Sequence, residues 1–248
     1  MQKPNCLIIP FFNEELRFRF DELNKLLMTE KSLHILMVDD SSTDLLAKKI
    51  KEKYLNQDRV QVIHSVKNSG KAEALRLGIR NVSLDQFDFI GFTDADFSAP
   101  SSEILNAFEI AKFTKVDLLH ATRIETKTNS IKTSSFRKNQ GALFQFLVSK
   151  ILKFKSRDSQ CGLKVYKSDL LKKLNFEIPF HNPWLFDLEL LLRIPNKSSY
   201  SALEYPLSKW SHKPASKMNF HSVVLVPFHL VKLRLHYGTL HDLFFSKG

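Results

Sequence analysis

The chain has 248 residues, 43% hydrophobic and 25% charged, and its 37 Lys and Arg against 26 Asp and Glu leave a formal net charge of +11. That length and balance suit one α/β core and exclude disordered, collagen-like and disulfide-dense classes. The charge favours a polyanionic partner, either a phosphorylated substrate or an anionic membrane leaflet; nucleic acid is set aside because no binding motif accompanies the basic residues.

Taken in chain order, apolar runs alternate with stretches of helical spacing. The pattern predicts a strand at Cys6–Pro10, a helix at Glu14–Met28 with Leu16, Phe20, Leu23 and Leu27 on one face, and a strand at His34–Val38. It continues with a helix at Thr43–Tyr54, a strand at Val60–His64, a helix at Gly70–Arg80, a strand at Phe87–Thr93 and a helix at Ser101–Lys112 capped by Ser101 or Ser102. A strand at Val116–Ala121 and a long basic helix at Ser134–Phe154 follow, then short elements at Gly162–Tyr166, Trp184–Arg193 and Tyr200–Tyr205. Such alternation predicts a mostly parallel central sheet flanked by helices.

Cys6 and Cys161 lack metal-ligand spacing and read as buried thiols of a reducing compartment. The N-terminus enters a strand without a signal-peptide pattern, and no apolar window reaches the ~18 residues of a membrane span. The greasiest stretch, Val223–Leu235, is interrupted by His229, Lys232 and Arg234. The expectation is a cytoplasmic protein, peripheral on the cytosolic face of a membrane.

In open α/β sheets functional groups gather beyond the carboxyl ends of the strands. Asp94 and Asp96 stand there, one residue apart, as oxygen ligands suited to Mg2+ or Mn2+ with phosphate oxygens completing the shell. An ordinary acidic turn explains that tripeptide equally well. Asp39 and Asp40 end the second strand; one carboxylate there suits a nucleobase or ribose, and Ser42 or Thr43 suits a helix cap.

Six segments in order carry a resemblance: Ile9–Glu14, Val38–Asp44, Asn68–Ala74, Asp94–Pro100, Asp158–Tyr166 and Trp184–Glu189. The chain resembles family-2 glycosyltransferases of the GT-A fold, nearest the dolichyl-phosphate or polyprenyl-phosphate glucosyl- and mannosyltransferases. The resemblance implies that Pro10, Phe12 and Glu14 line the nucleotide pocket, that Asp39 meets the base or ribose, that Asp94 lies by ribose and diphosphate, and that Asp96 holds the metal. It places Ser98 at a further metal-shell position and gives Lys71 reach to a diphosphate, against the alternative of a solvated helix lysine.

Arg123 and Arg137 match arginines at the acceptor phosphate, although either also reads as surface charge. Asp187 is a general base if the acceptor is a hydroxyl; if it is a phosphate, Asp187 orients Lys or Arg neighbours. His212, in the Lys209–Met218 loop, is a further metal-shell candidate or a solvated histidine. Relatives carry glycine where this chain has Ser41 and Ala72. The implied organisation is a domain at 1–217, with a donor half to about 122 and an acceptor half at 123–217, and a basic, aromatic, amphipathic tail at 218–248 that meets a membrane or packs back on the domain. The implied activity is inverting transfer from a nucleotide-sugar, UDP-glucose favoured, to a polyprenyl-phosphate or glycan acceptor. The alternatives are a sugar-hydroxyl acceptor and a silent binding protein that kept the fold.

Overall fold

A computed structural model describes residues 3–125, 129, 131, 135–154, 156–211, 225–240 and 245–247, with side chains outside the described set at 135–139 and 245–247. Strands β1 (Cys6–Phe11), β2 (His34–Asp39), β3 (Val60–His64), β4 (Phe89–Phe92), β5 (Leu118–Thr122), β6 (Lys164–Lys167), β7 (Ala202–Pro206) and β8 (Phe245–Lys247) form one sheet of eight strands in the order β3-β2-β1-β4-β6-β5-β7-β8. Among the described strands only β6 runs against its neighbours, pairing antiparallel with β4 and β5.

Among the described residues the α-helices are α1 (Phe20–Thr29), α2 (Leu46–Lys53), α3 (Lys71–Asn81), α4 (Ser101–Thr114), α5 (Ser135–Ile151), α6 (Ser168–Leu171), α7 (Phe186–Leu192) and α8 (Val226–Tyr237). β1 is buried along its whole length because helices cover both faces of the sheet. Alternation along the strand splits its side chains between two cores. Cys6 and Ile8 join Leu75 of α3, Val148 of α5, Leu188 of α7 and Leu230 of α8. Leu7, Ile9 and Phe11 join Leu23 of α1, Ile50 of α2 and Phe108 of α4.

The helix expected from Glu14 begins only at Phe20, and Leu16 is fully exposed. Asn13 adopts a left-handed φ of 52°, and its side-chain oxygen accepts from the Thr43 N–H at 2.8 Å. The Glu15 N–H donates to Asp44 at 2.9 Å, and the Leu45 N–H donates to Glu15 at 2.9 Å. These bonds hold residues 13–15 as a loop laced to the start of α2, and that lacing outcompetes helix extension.

The expected caps also differ. The Ser101 N–H is satisfied by Glu22 of α1 at 2.6 Å, not by a serine hydroxyl, and the Leu46 N–H at the start of α2 is satisfied by Asp44 at 3.2 Å. From the segment expected to be a tail, α8 buries Leu230 and Leu233 against the domain, the Leu240 N–H donates to the Leu152 carbonyl at 2.8 Å, and β8 pairs with β7 at the edge of the sheet.

Candidate active site

The parallel strands β1, β2, β4 and β5 deliver their carboxyl ends to one edge of the sheet, and the reversed strand β6 begins there, so Lys164 lies opposite both Phe92 and His120. That reversal brings residues 158–164 to the same edge as Asp39, Asp94 and Arg123.

Asp39 and Asp40 do different work because successive side chains on a strand point to opposite faces. Asp39, buried, accepts from the Ser42 N–H at 2.9 Å and meets His64 Nδ1 at 2.9 Å. The other ring nitrogen of His64 faces the Lys51 ammonium at 2.6 Å. An ammonium only donates, so Nε2 accepts and Nδ1–H donates to Asp39. Asp40 instead accepts from the Ser69 and Gly70 N–H groups at 3.0 and 2.7 Å, fixing the loop that enters α3. Gly70 there has φ +87° and ψ 164°, a conformation that L side chains avoid.

Ser41 has φ +64°, the left-handed conformation in which glycine costs least. The other departure from the family pattern, Ala72, sits inside α3 with its methyl in the core, where alanine is favourable.

Asp94 follows β4 and pairs with Lys71 of α3. Burial works to raise the pKa of Asp94, but Lys71, aided by Arg123 and Lys164, holds it below the usual carboxylate value. For Lys71, burial pulls the pKa down and Asp94 and Asp187 more than restore it. A Cβ built on Gly162 would stand 2.3 Å from Asp94 Oδ2, so this close approach requires glycine.

Two residues on, Asp96 is half-buried and accepts from the Ser98 N–H at 2.9 Å and its hydroxyl at 2.7 Å. Between them Phe97 holds a left-handed φ of 50° with its ring buried edge-on against Phe18 at 5.7 Å. The buried ring offsets a backbone conformation that a bulky residue seldom adopts.

Glu14 pairs with Arg17 through one oxygen, and its buried Oε2 has no hydrogen-bond partner among the described residues. Burial raises the Glu14 pKa, Arg17 opposes the rise, and Asp96 and Asp94 add to it. Glu14 thus lies within electrostatic reach of both aspartates. Pro10, Lys71, Thr93, Gly162, Phe186 and Asp187 line a narrow cleft at this place, and Phe12 is half-buried just beyond β1.

On the far side, Arg123 presents Nε and Nη2 to the two oxygens of Asp158 at 2.7 and 2.8 Å, and its N–H donates to the same carboxylate at 3.0 Å. The guanidinium also stacks 5.3 Å over the Trp210 ring. Burial acts to raise the Asp158 pKa, yet the Arg123 bonds and charge bring it down to about 2. Asp187 of α7 accepts from the buried Lys164 ammonium at 2.5 Å, and Lys164 also donates to the Cys161 carbonyl at 2.5 Å. Cys6 and Cys161 are buried free thiols, and burial pushes both up to about 12.

Asp39, Lys71, Asp94, Asp96, Ser98, Arg123 and Asp187 therefore share one edge of the fold with Pro10 and Glu14. Arg137 lies on α5 with its side chain outside the described set, and His212 lies outside the described residues. Sequence reasoning did not single out His64, Asp158, Gly162 or Lys164, although the last three fall inside the matched Asp158–Tyr166 segment.

Among the described residues no three His, Cys, Asp or Glu side chains come together as a metal cluster. Two neighbouring aspartates and an unpartnered buried Glu14 oxygen nevertheless suit a hard divalent cation whose shell is completed by phosphate and water oxygens.

A family model described as glycosyl transferase family 2 matches residues 6–174. The human dolichyl-phosphate beta-glucosyltransferase is 30% identical over 207 residues, 76% of this chain and 62% of that protein, so the chain spans somewhat less than two thirds of it. An uncharacterized protein of Methanocaldococcus jannaschii is 29% identical over 176 residues, 68% of this chain and 74% of its own length. The fold matches glucosyl-3-phosphoglycerate synthase of Mycobacterium tuberculosis, solved with Mn2+, UDP and phosphoglyceric acid, at TM-score 0.66 and 15% identity over 95% of this chain and 78% of that one. A mannosyltransferase of Pyrobaculum calidifontis, solved with GDP-Man and Mn2+, matches at TM-score 0.62 and 16% identity over 95% of this chain and 64% of that one. Both are GT-A glycosyltransferases.

Proposed function

The chain belongs to glycosyl transferase family 2 and is a glycosyltransferase, and from that premise we propose that it moves glucose from UDP-glucose, with inversion, to a polyprenyl phosphate at the cytosolic face of a membrane. The relatives named dolichyl-phosphate beta-glucosyltransferase support the choice of sugar and acceptor. The observation that carries the reading is the meeting of carboxylates and cations at one sheet edge: Glu14, Asp39, Asp94 and Asp96 on the donor side, Arg123 and the Lys164–Asp187 pair on the other.

In this reading Asp39 receives the base or ribose and is held in orientation by His64 and the Ser42 N–H. Asp94 and Asp96 hold Mg2+ or Mn2+, with Ser98 fixing one oxygen of Asp96 so that the other faces the donor. When bound, the cation offsets charge on the departing nucleoside diphosphate. Lys71 exchanges its Asp94 partner for the donor diphosphate. Pro10 and Phe12 bound the nucleotide pocket, and the residues place the anomeric carbon for in-line displacement.

The buried Lys164–Asp187 pair favours a phosphate acceptor. Asp187 is engaged with an ammonium and so orients a cation toward the acceptor, whose ionised oxygen needs no general base. Arg123 has its Nε and Nη2 committed to Asp158, which leaves its Nη1 edge for a phosphate oxygen.

The test is transfer of labelled glucose from UDP-glucose with Mn2+ to a polyprenyl phosphate and, separately, to glycan hydroxyls. Asp187→Asn should retain substantial turnover with the phosphate acceptor while leaving donor binding intact. Abolished turnover with intact donor binding would replace this reading with the hydroxyl-acceptor one.

A further inference from the structure

Helix α8 is apolar on two opposite faces. One carries Leu230 and Leu233, buried against the domain. The other carries Phe228, Val231 and Leu235, spaced to form a stripe at 3.6 residues per turn that Leu225 extends just before the helix, with Phe228 65% and Leu235 83% exposed. Lys232 and Arg234 flank this stripe on its two sides, and the Arg234 guanidinium donates to the Ile151 carbonyl at 2.9 Å, which ties α8 to the end of α5.

α5 packs beside α8 and repeats the arrangement. Val148 is buried, while Leu143 and Phe146, 57% and 55% exposed, lie with Lys150 on the outward side, the Lys150 ammonium 5.6 Å over the Phe146 ring. Neither 126–157 nor 205–240 contains a single Asp or Glu, whereas they hold eight and five Lys and Arg respectively.

Exposed large apolar side chains on two adjacent helices that carry Lys and Arg but no Asp or Glu suit an anionic surface with an apolar interior. Among the described residues no helix is long and apolar enough to cross a membrane.

We propose that the outward stripes of α5 and α8 together form a docking face for an anionic phospholipid bilayer, into whose interface Leu143, Phe146, Phe228, Val231 and Leu235 insert while Lys150, Lys232 and Arg234 meet the headgroups. The face deepens the lipid-phosphate reading by naming the surface through which the protein would meet its acceptor's membrane. The Tyr237 hydroxyl at the end of α8 donates to Glu189 of α7 at 3.0 Å, two residues from Asp187. Docking on this face therefore seats the bilayer on an element coupled to the acceptor side of the cleft.

The experiment is co-sedimentation of the full chain with phosphatidylcholine vesicles, with and without phosphatidylglycerol and containing no polyprenyl phosphate, so that its outcome is independent of the transfer reaction. Wild type is expected to sediment with the anionic vesicles and to be released by salt. Phe228→Asp/Leu235→Asp should weaken that partition at least about tenfold, and so should Lys150→Glu/Lys232→Glu. Because all four positions are on the surface, both variants should keep the wild-type melting temperature and the wild-type rate on a short, water-soluble prenyl phosphate. Wild-type partition in both variants would overturn the proposal. So would absence of vesicle binding together with a concentration-dependent dimer that Phe228→Asp/Leu235→Asp dissolves, which would assign the face to a second copy of the chain.

Discussion

Gly162 and Asp94 are in such close contact that a Cβ on the glycine would overlap the carboxylate, at 2.3 Å from Oδ2 and 2.8 Å from Cγ. The backbone leading into the reversed strand β6 thus forms a wall against which Asp94 is set. Gly162→Ala should push that carboxylate away from Lys71 and the donor side. Because misplacement of about 1 Å can cost about 100-fold, kcat/KM for the donor should fall by that order with little change in melting temperature. Steady-state kinetics beside a thermal melt checks this; unchanged kinetics would mean that Asp94 is not held by this contact.

Breaking the Lys164–Asp187 pair from one side should be costly, since it leaves a buried charge without its partner. Lys164→Met should lower unfolding free energy by about 3–5 kcal/mol. Lys164→Met/Asp187→Leu, which removes both charges, should recover most of that loss. Urea unfolding of the three proteins decides it, and a double variant as unstable as the single one would speak for lost packing instead.

Acid should loosen the Arg123–Asp158 clasp. The Asp158 carboxyl titrates near 2 in the folded protein, below its value of 3.8 in the absence of the fold. The pair's contribution is therefore fully present above about pH 4 and is lost as pH falls toward 2, and it amounts to about 2 kcal/mol. Asp158→Asn should remove that part of the acid dependence, measurable as a flatter stability curve between pH 4 and 2 by chemical unfolding.

Ser41 occupies a left-handed backbone conformation, at φ +64°. Ser41→Gly should relieve this and stabilise the fold by about 1 kcal/mol, read as a higher urea midpoint. A lower midpoint would show that the serine's contacts in the loop outweigh its backbone strain.

Much of this architecture is written in local pattern. The runs at Cys6–Phe11 and His34–Asp39 are buried on both faces, so they read as parallel strands, and Asp39, which ends the second, falls where such sheets gather chemistry. The first helix is shorter than expected because the spacing of Leu16 and Phe20 fits a helix, whereas Asn13 and Glu15 in the segment before Phe20 are captured by bonds to Thr43, Asp44 and Leu45 about thirty residues away. Lys164 was not legible for a related reason. Flanked by Leu163 and Val165, it looks like the polar face of an alternating strand, and only the reversal of β6 and the arrival of Asp187 make it a buried cation. His64 closes a strand with no local mark of its role, which depends on the pairing of β3 with β2. The two adjacent aspartates Asp39 and Asp40 were visible, but their division of labour follows from which way each side chain points.

The most direct test of the central claim, that Asp94 and Asp96 hold a metal-dependent nucleotide-sugar site, is calorimetric titration of UDP into the protein with and without Mn2+, repeated for Asp96→Ala. The account predicts tight binding that requires Mn2+ and is lost in Asp96→Ala. Equal UDP binding by both proteins in the absence of metal, or no binding by wild type with Mn2+ present, would contradict it.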